Sequence, residues 1–276
     1  MSKKIHSLFV YIFLSAASFF SVFPLYWMAV SATNSSLDII SGRLTPGTYL
    51  VHNFQTMLEQ TEFARAFWNS TRIAVTATIL SILISSMAGY GFEIYRSRKK
   101  DMVFNILLVS MMIPAATMIV PVFLMLATVT GIAPAFGLNT VPAVIIPGIA
   151  SVFLIFFFRQ STKMFAIEIL EAARMDGMSE IGMFFRIYIP VMKNAFSAAA
   201  IITFMGTWNA FMWPRIVIQT ADMHTIPIIL SLVNEGYVLD FGLIMLTTTL
   251  SIIPIGVVFF ALQRHFVAGM MGTLKG

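Results

Sequence analysis

The chain has 276 residues, 58% of them hydrophobic and only 11% charged, with 26 Phe, 20 Met and a mean hydropathy of +0.88. So little charge over that length excludes an ordinary soluble domain, and the absence of cysteine excludes disulfides, thiolate catalysis and Cys-ligated metal. A net charge of +5 would suit nucleic acid in a soluble protein, but in a chain this apolar the basic residues report topology, and no nucleic-acid partner is expected.

Lys3 and Lys4 precede an apolar run from Leu8 to Val30. The run is longer than the roughly 7–15 residues of a secretory signal core, so despite the small residues Ser31-Ala32 it reads as a retained first membrane helix. Tyr26 and Trp27, near its far end, suit the membrane interface. Residues 33–70 are polar and mixed, and read as an outer loop with a short helix. A second span runs over Ile73 to Phe92, where Ser81, Ser85 and Gly89 recur every four positions and form a face that lets another helix approach closely.

Arg96, Arg98, Lys99 and Lys100 separate it from a third span, Met102 to Thr128. Pro114 and Pro121 fall inside that span and predict one kinked helix facing the bundle interior. Gly131 to Thr140 is an uncharged outer loop, and a fourth span over Val141 to Phe158 carries Pro142 and Pro147 and ends in Arg159.

Next comes the one charged, helix-patterned segment between long apolar runs, residues 165–190. Glu171-Ala172-Ala173-Arg174-Met175-Asp176 are mostly strong helix formers, with Ile167, Leu170 and Ala173 or Arg174 spaced along one face. Gly177 supplies a left-handed stop, Ser179 caps a second helix with Gly182 just inside it, and Asp176 is a second candidate to cap the turn. The segment predicts two helices outside the bilayer, the second amphipathic, with Pro190 leading into the next span.

A fifth span, Ala195 to Trp213, is interrupted by Thr203, Gly206, Thr207, Trp208 and Asn209. Arg215 to Asp240 reads as a loop containing Asp222, His224, Pro227, Glu235 and Tyr237. A sixth span, Gly242 to Leu262, contains Pro254. The fold class is therefore all-α and membrane-integral, one domain over residues 1–276. Thirteen of the seventeen Lys and Arg fall in the N-terminal tail, 93–101, 159–193 and the stretch after 263. That asymmetry puts both termini and residues 165–190 on the cytoplasmic side.

The pattern Glu171, Ala172, Ala173, Asp176, Gly177, Phe184, Ile187 and Pro190 resembles the EAA-motif permeases of bacterial ABC importers, within them the carbohydrate branch exemplified by the maltose permease second subunit. Met112-Ile113-Pro114, Leu138-Asn139-Thr140, Trp208-Asn209 with Trp213-Pro214, Thr225-Ile226-Pro227 and the ending Gln263-Arg264-His265-Phe266-Val267 with Gly269 and Lys275-Gly276 are similar too. Asn194 stands where that family usually has a second proline, which touches only the start of the fifth helix.

The resemblance implies a six-helix type I importer permease in a bacterial cytoplasmic membrane, working with a second homologous permease, two ATPase subunits and an extracytoplasmic sugar-binding protein, surrounded by lipid. The eight motif residues would form the element that docks on an ATPase, and ATP and Mg would be used by the partners, since this chain has no P-loop pattern and no HExxH or GxSxG. No catalytic role and no cofactor is expected here.

Thr203, Thr207, Trp208, Asn209 and Trp213 are candidates for the substrate path, although the two tryptophans read equally as an interface belt and the threonines as partners of their own helix. Thr220, Asp222, His224 and Thr225 are candidates for meeting the binding protein, and His6, His52, His224 and His265 lack metal-ligand spacing. A di- or oligosaccharide is the expected cargo. A polyol or glycerol-phosphate importer of the same branch is an alternative, as is an ion-coupled secondary transporter, although no ionisable residue falls securely at mid-span.

Overall fold

In hydrocarbon the backbone must satisfy its own N–H and C=O groups, and a chain this apolar does so with helices. The computed structural model describes residues 2–235 and 239–272, and among them there is no strand. Tyr237, Lys275 and Gly276 lie outside the described residues. In chain order the helices are α1 (Ser2–Ser31), α2 (Ser36–Ile40), α3 (Leu50–Gln60), α4 (Phe63–Ile94), α5 (Arg98–Ser110), α6 (Ile119–Ile132), α7 (Val141–Ile145), α8 (Val152–Thr162), α9 (Ile167–Met175), α10 (Glu180–Met183), α11 (Ile189–Val191), α12 (Lys193–Trp208), α13 (Met212–Val217), α14 (Ile226–Asn234) and α15 (Phe241–Gly272).

His6–Ser31, Phe63–Ile94, Ala115–Ile132 and Phe241–Arg264 are long and apolar enough to cross a membrane. Two bent pairs, Val141–Gly148 with Val152–Thr162 (48°) and Glu180–Val191 with Lys193–Trp208 (82°), bring the number to six if each is one span.

The prolines decide where the spans break. The third span is not one kinked helix. After Ser110 the chain tightens through Met111–Ile113, whose N–H groups bond three residues back, and passes Pro114 into a 3-10 turn, Ala115–Met118. Pro114 has no N–H to continue α5 and biases Ile113 away from helical geometry. Pro121, by contrast, sits in the first turn of α6, where an N–H has no intrahelical partner to lose. In the fourth span Thr140 caps α7 by accepting from Ala143 N, Pro147 falls in a 3-10 turn, and Ser151 restarts the helix by accepting from Leu154 N.

Two compact units are present, Met1–Phe67 with Ile226–Ile253, and Trp68–Thr225 with Pro254–Gly276. In the first, the Asn53 amide donates to the carbonyls of Ala32 (2.9 Å) and Asn34 (3.1 Å). Gly242 lies against that amide so closely that a Cβ would come within 2.7 Å of it. Ser36 Oγ donates to Asp240 and accepts from Phe241 N, tying α2 to the start of α15. The stretch expected as a loop up to Asp240 contains α14, an apolar helix with Ile226, Ile228 and Ile229 buried and Pro227 in its first turn, where proline is tolerated. None of the apolar window of α1 is buried within the chain.

In the second unit, Ser81 and Ser85 are buried, and a Cβ on Gly89 would stand 2.7 Å from Phe158 Cβ and 2.8 Å from Arg159 N. The small-residue face of α4 is therefore buried, as its spacing predicts, and at Gly89 it is a close contact with α8.

Candidate functional site

The segment between the fourth and fifth spans is a helix pair, and its turn is closed by the backbone. α9 ends at Met175, and Gly177 takes φ +80°. Gly177 N–H donates to Arg174 O (3.1 Å) and Met178 N–H to Ala173 O (3.0 Å), the paired bonds of a Schellman stop. The Asp176 carboxylate has no hydrogen-bond partner among the described residues, and the residue occupies the C-cap position through its backbone N–H, which bonds Ala172 O. Ser179 caps α10, accepting from Gly182 N (3.2 Å).

Past Met183 the helix widens into a π turn over Phe184–Tyr188, where Ile189 N–H reaches Phe184 O. Pro190 explains it physically, because a proline ring clashes with the carbonyl four residues back and has no N–H to offer it. The chain then bends by 82° at Met192 into α12.

One side of this element is anchored in the protein's own core. Leu170, Ala173, Met183, Phe184 and Tyr188 are buried with Tyr90 and Phe165, with Met178 and Ile187 packed against them. Tyr90 lies 4.8 Å from the Tyr188 ring and 5.4 Å from Phe184, and Tyr188 shares a 2.6 Å hydrogen bond with Thr162. Arg174 bridges the two helices to Glu180 (3.0 Å), whose other carboxylate oxygen accepts from the Tyr95 hydroxyl.

The other side is bare. Met175 is 88% and Ile181 72% exposed, and Met164, Ile167 and Phe185 are exposed as well. A hollow of about 550 Å³ opens between Gly177, Ile181 and Phe185. Of the eight motif residues, Ala173 and Phe184 are buried and Ile187 is half-buried. Glu171, Ala172, Asp176, Gly177 and Pro190 are exposed, and Glu171 has no ion-pair partner among the described residues. The two alanines thus do different jobs: Ala173 fits the helix to its own bundle, and Ala172 leaves the outer face flat.

Sequence reasoning missed the groups that hold this element in place, Tyr90, Tyr95, Thr162 and Glu180, and also an ion cluster centred on Arg159. Arg159, noted only as the end of a span, is 5% exposed and bonded to Glu93 (3.1 Å) and Asp101. The Arg159 guanidinium, set against burial and aided by Arg96, holds the Asp101 carboxyl below its usual value. The available signal was three charged residues beside apolar runs, and their pairing is not readable without the fold.

The path candidates divide. Thr203, Thr207 and Trp213 line one groove of about 280 Å³ with Ser81, Gly206 and Ala210. The Thr203 hydroxyl is buried there without a partner among the described residues, and Trp213 Nε1 is fixed to Ala143 O (3.2 Å), leaving its ring as the groove wall. Trp208 lies outside the groove, buried and stacked on Phe204 at 5.7 Å. Asn209 is exposed and turned back on Met205 O (3.0 Å), because α12 ends at Trp208, five residues short of the expected Trp213.

The loop after α13 is clamped by two asparagines. Asn139, at φ 59°, donates its N–H to Val217 O (2.8 Å), and its side-chain oxygen accepts from the N–H groups of Gln219 (3.0 Å) and Thr220 (3.2 Å). The Asn69 amide donates to Asp222 O (2.9 Å) and His224 O (3.1 Å). Thr220 and Asp222 are exposed and His224 half-buried, but Thr225 is only 4% exposed, so as the loop stands its side chain is not on the surface. Burial and the nearby Arg215 push the His224 imidazole below its ordinary value, against a smaller pull from Asp222.

Residues 81–272 match the family described as "Binding-protein-dependent transport system inner membrane component". The chain is 40% identical over 275 residues to the lactose transport system permease protein LacG of Rhizobium radiobacter, covering 100% of this chain and 98% of that one. It is 32% identical over 268 residues to the arabinooligosaccharides transport system permease protein AraQ of Halalkalibacterium halodurans, covering 94% and 93%. Its fold matches a chain of a bacterial ABC transporter involved in the import of the acidic polysaccharide alginate, with TM-score 0.81, 19% identity and coverage of 96% and 98%.

Proposed function

Because the chain belongs to the binding-protein-dependent transport system inner membrane components, we propose that it is the permease subunit of an ATP-driven carbohydrate importer, carrying a di- or oligosaccharide. The names of the two sugar-transport relatives support that cargo, and family membership sets aside the ion-coupled transporter. The observation that carries the mechanism is the two-sided helix pair: one face is locked into the bundle by Leu170, Ala173, Phe184 and Tyr188, while Met175, Ile181 and Phe185 stand bare around the Gly177 turn. An apolar face of that kind is suited to a partner's cleft.

On this reading the segment faces the cytoplasm, as the charge asymmetry supports, and docks on one of two ATPase subunits, which bind and hydrolyse ATP with Mg. When ATP draws the ATPases together, the docked pair moves with its ATPase. A rigid pair rooted in α4 and α8 turns that movement into reorientation of the spans. A second homologous permease completes the path, and lipid or that permease covers the bare α1. The groove at Thr203, Thr207 and Trp213 supplies a ring and hydroxyls for a sugar. Thr220, Asp222 and His224, on a loop held by Asn69 and Asn139, meet the loaded binding protein.

The test is reconstitution of the whole complex in proteoliposomes with its binding protein. Sugar-stimulated ATP hydrolysis accompanied by uptake is expected, with both lost in Gly177→Asp, whose added carboxylate would stand on the apolar docking face, while the chain still inserts. Uptake by this chain without any ATPase would overturn the reading.

A further inference from the structure

The contacts that root the coupling segment converge on two helix ends. From the last turns of α4, Tyr90 enters its aromatic cluster, and just past the helix end the Tyr95 hydroxyl bonds Glu180. From the end of α8, Thr162 bonds Tyr188 and Phe165 joins the same cluster two residues before α9 begins. Arg159 joins these two ends. Its Nε bonds Glu93 on α4 at 3.1 Å, and its NH2 nitrogen bonds Asp101, bringing in the start of α5. Its guanidinium lies 4.1 Å over the Phe104 ring of α5, and one turn earlier Gly89 brings α4 into backbone contact with Arg159 itself.

An ion cluster with its arginine and one carboxylate largely out of solvent, Asp101 being a third exposed, is a poor device for stability alone, because desolvating the charges offsets much of their attraction and apolar replacements often serve as well. What the guanidinium fork adds is direction: its bonds fix the angle at which carboxylates on two other helices approach. We propose that Arg159 is a positioning residue of transport, whose ion triad with Glu93 and Asp101 makes α4, α5 and α8 move as one body when the coupling segment is displaced. The inference rests on the coupling reading above. Without the triad the segment still docks and the ATPase still turns over, but α4 and α8 yield separately and part of each stroke is lost.

The reconstituted complex tests this with two variants. The triple substitution Arg159→Met, Glu93→Gln and Asp101→Asn removes the triad and leaves no buried charge unpaired, since Arg96, which also pairs with Asp101 at 3.3 Å, is exposed to solvent. Arg159→Lys keeps the cation and loses the fork. Copurified ATPase, sugar-stimulated ATP hydrolysis and sugar imported per ATP hydrolysed are measured for each. Both variants are expected to assemble and hydrolyse ATP, with sugar per ATP lowered at least about threefold, the scale of coupling carried by single network residues. A wild-type ratio in either variant overturns the proposal, as does a fall in uptake that only tracks a fall in assembly. Failure of the coupling reading itself shows separately, as ATP-independent uptake in the unsubstituted complex.

Discussion

Gly177→Ala isolates one backbone angle. At φ +80° an L-residue meets its own carbonyl, a penalty of about 1–2 kcal/mol. Beyond its own chain neighbours, no atom of the described residues lies within 4 Å of where the new Cβ would stand, so no steric clash adds to it. The penalty acts on the closed turn, lowering its population relative to open forms by roughly 5- to 30-fold, less whatever the Met178 seat on the core restores. Asn, which tolerates left-handed geometry, is expected within about twofold of the native chain, and β-branched Val is expected to be worse than Ala. Hydrogen exchange at residues 174–182 reads the turn, and sugar-stimulated ATPase and uptake in the reconstituted complex read the consequence. If Ala and Val match Gly in both, the left-handed turn is not what shapes the docking surface.

Gly89→Ala should destabilise the chain by about 1–3 kcal/mol, since its Cβ would stand 2.7 Å from Phe158 Cβ; thermal unfolding in detergent measures this, and an unchanged midpoint would contradict the close contact. Trp213→Ala should raise the sugar concentration for half-maximal uptake about fivefold while copurified ATPase is unchanged, the loss expected of one aromatic face. Thr203→Val is expected to be mild in stability, because the hydroxyl it removes has no partner among the described residues. For His224 the native pKa is depressed, so its contribution to loop order is fully present above the unfolded value near 6.5 and is lost as pH falls through the native one. Protection factors at residues 219–225, taken relative to the slower intrinsic exchange at low pH, should therefore fall on acidification to about pH 5, and His224→Gln should remove the dependence.

Much of the helix pair over residues 165–190 was readable because local chemistry decides it. Gly177 and Ser179 act within four residues of themselves, and the stop and cap fell where those residue types require. The Ser81, Ser85 and Gly89 face was readable from spacing alone. Pro114 and Pro121 misled, because a proline's effect depends on whether it falls inside a helix or in its first turn, and that boundary is set by packing. α14 was read as loop because its apolar run is short and interrupted by polar residues, and burial of Ile226, Ile228 and Ile229 within the fold overrides that. Glu93 and Asp101 lie 66 and 58 positions from Arg159, and no local pattern announces their meeting. Trp208 and Trp213, alike in sequence, part company because α12 stops between them.

On the proposed reading, the bare face around Gly177 meets an ATPase subunit. A photo-crosslinking side chain at Ile181, 72% exposed, in the purified and transport-competent complex tests it most directly. An adduct with the ATPase subunit is expected. An active complex whose only adducts are with lipid or with the binding protein would contradict it.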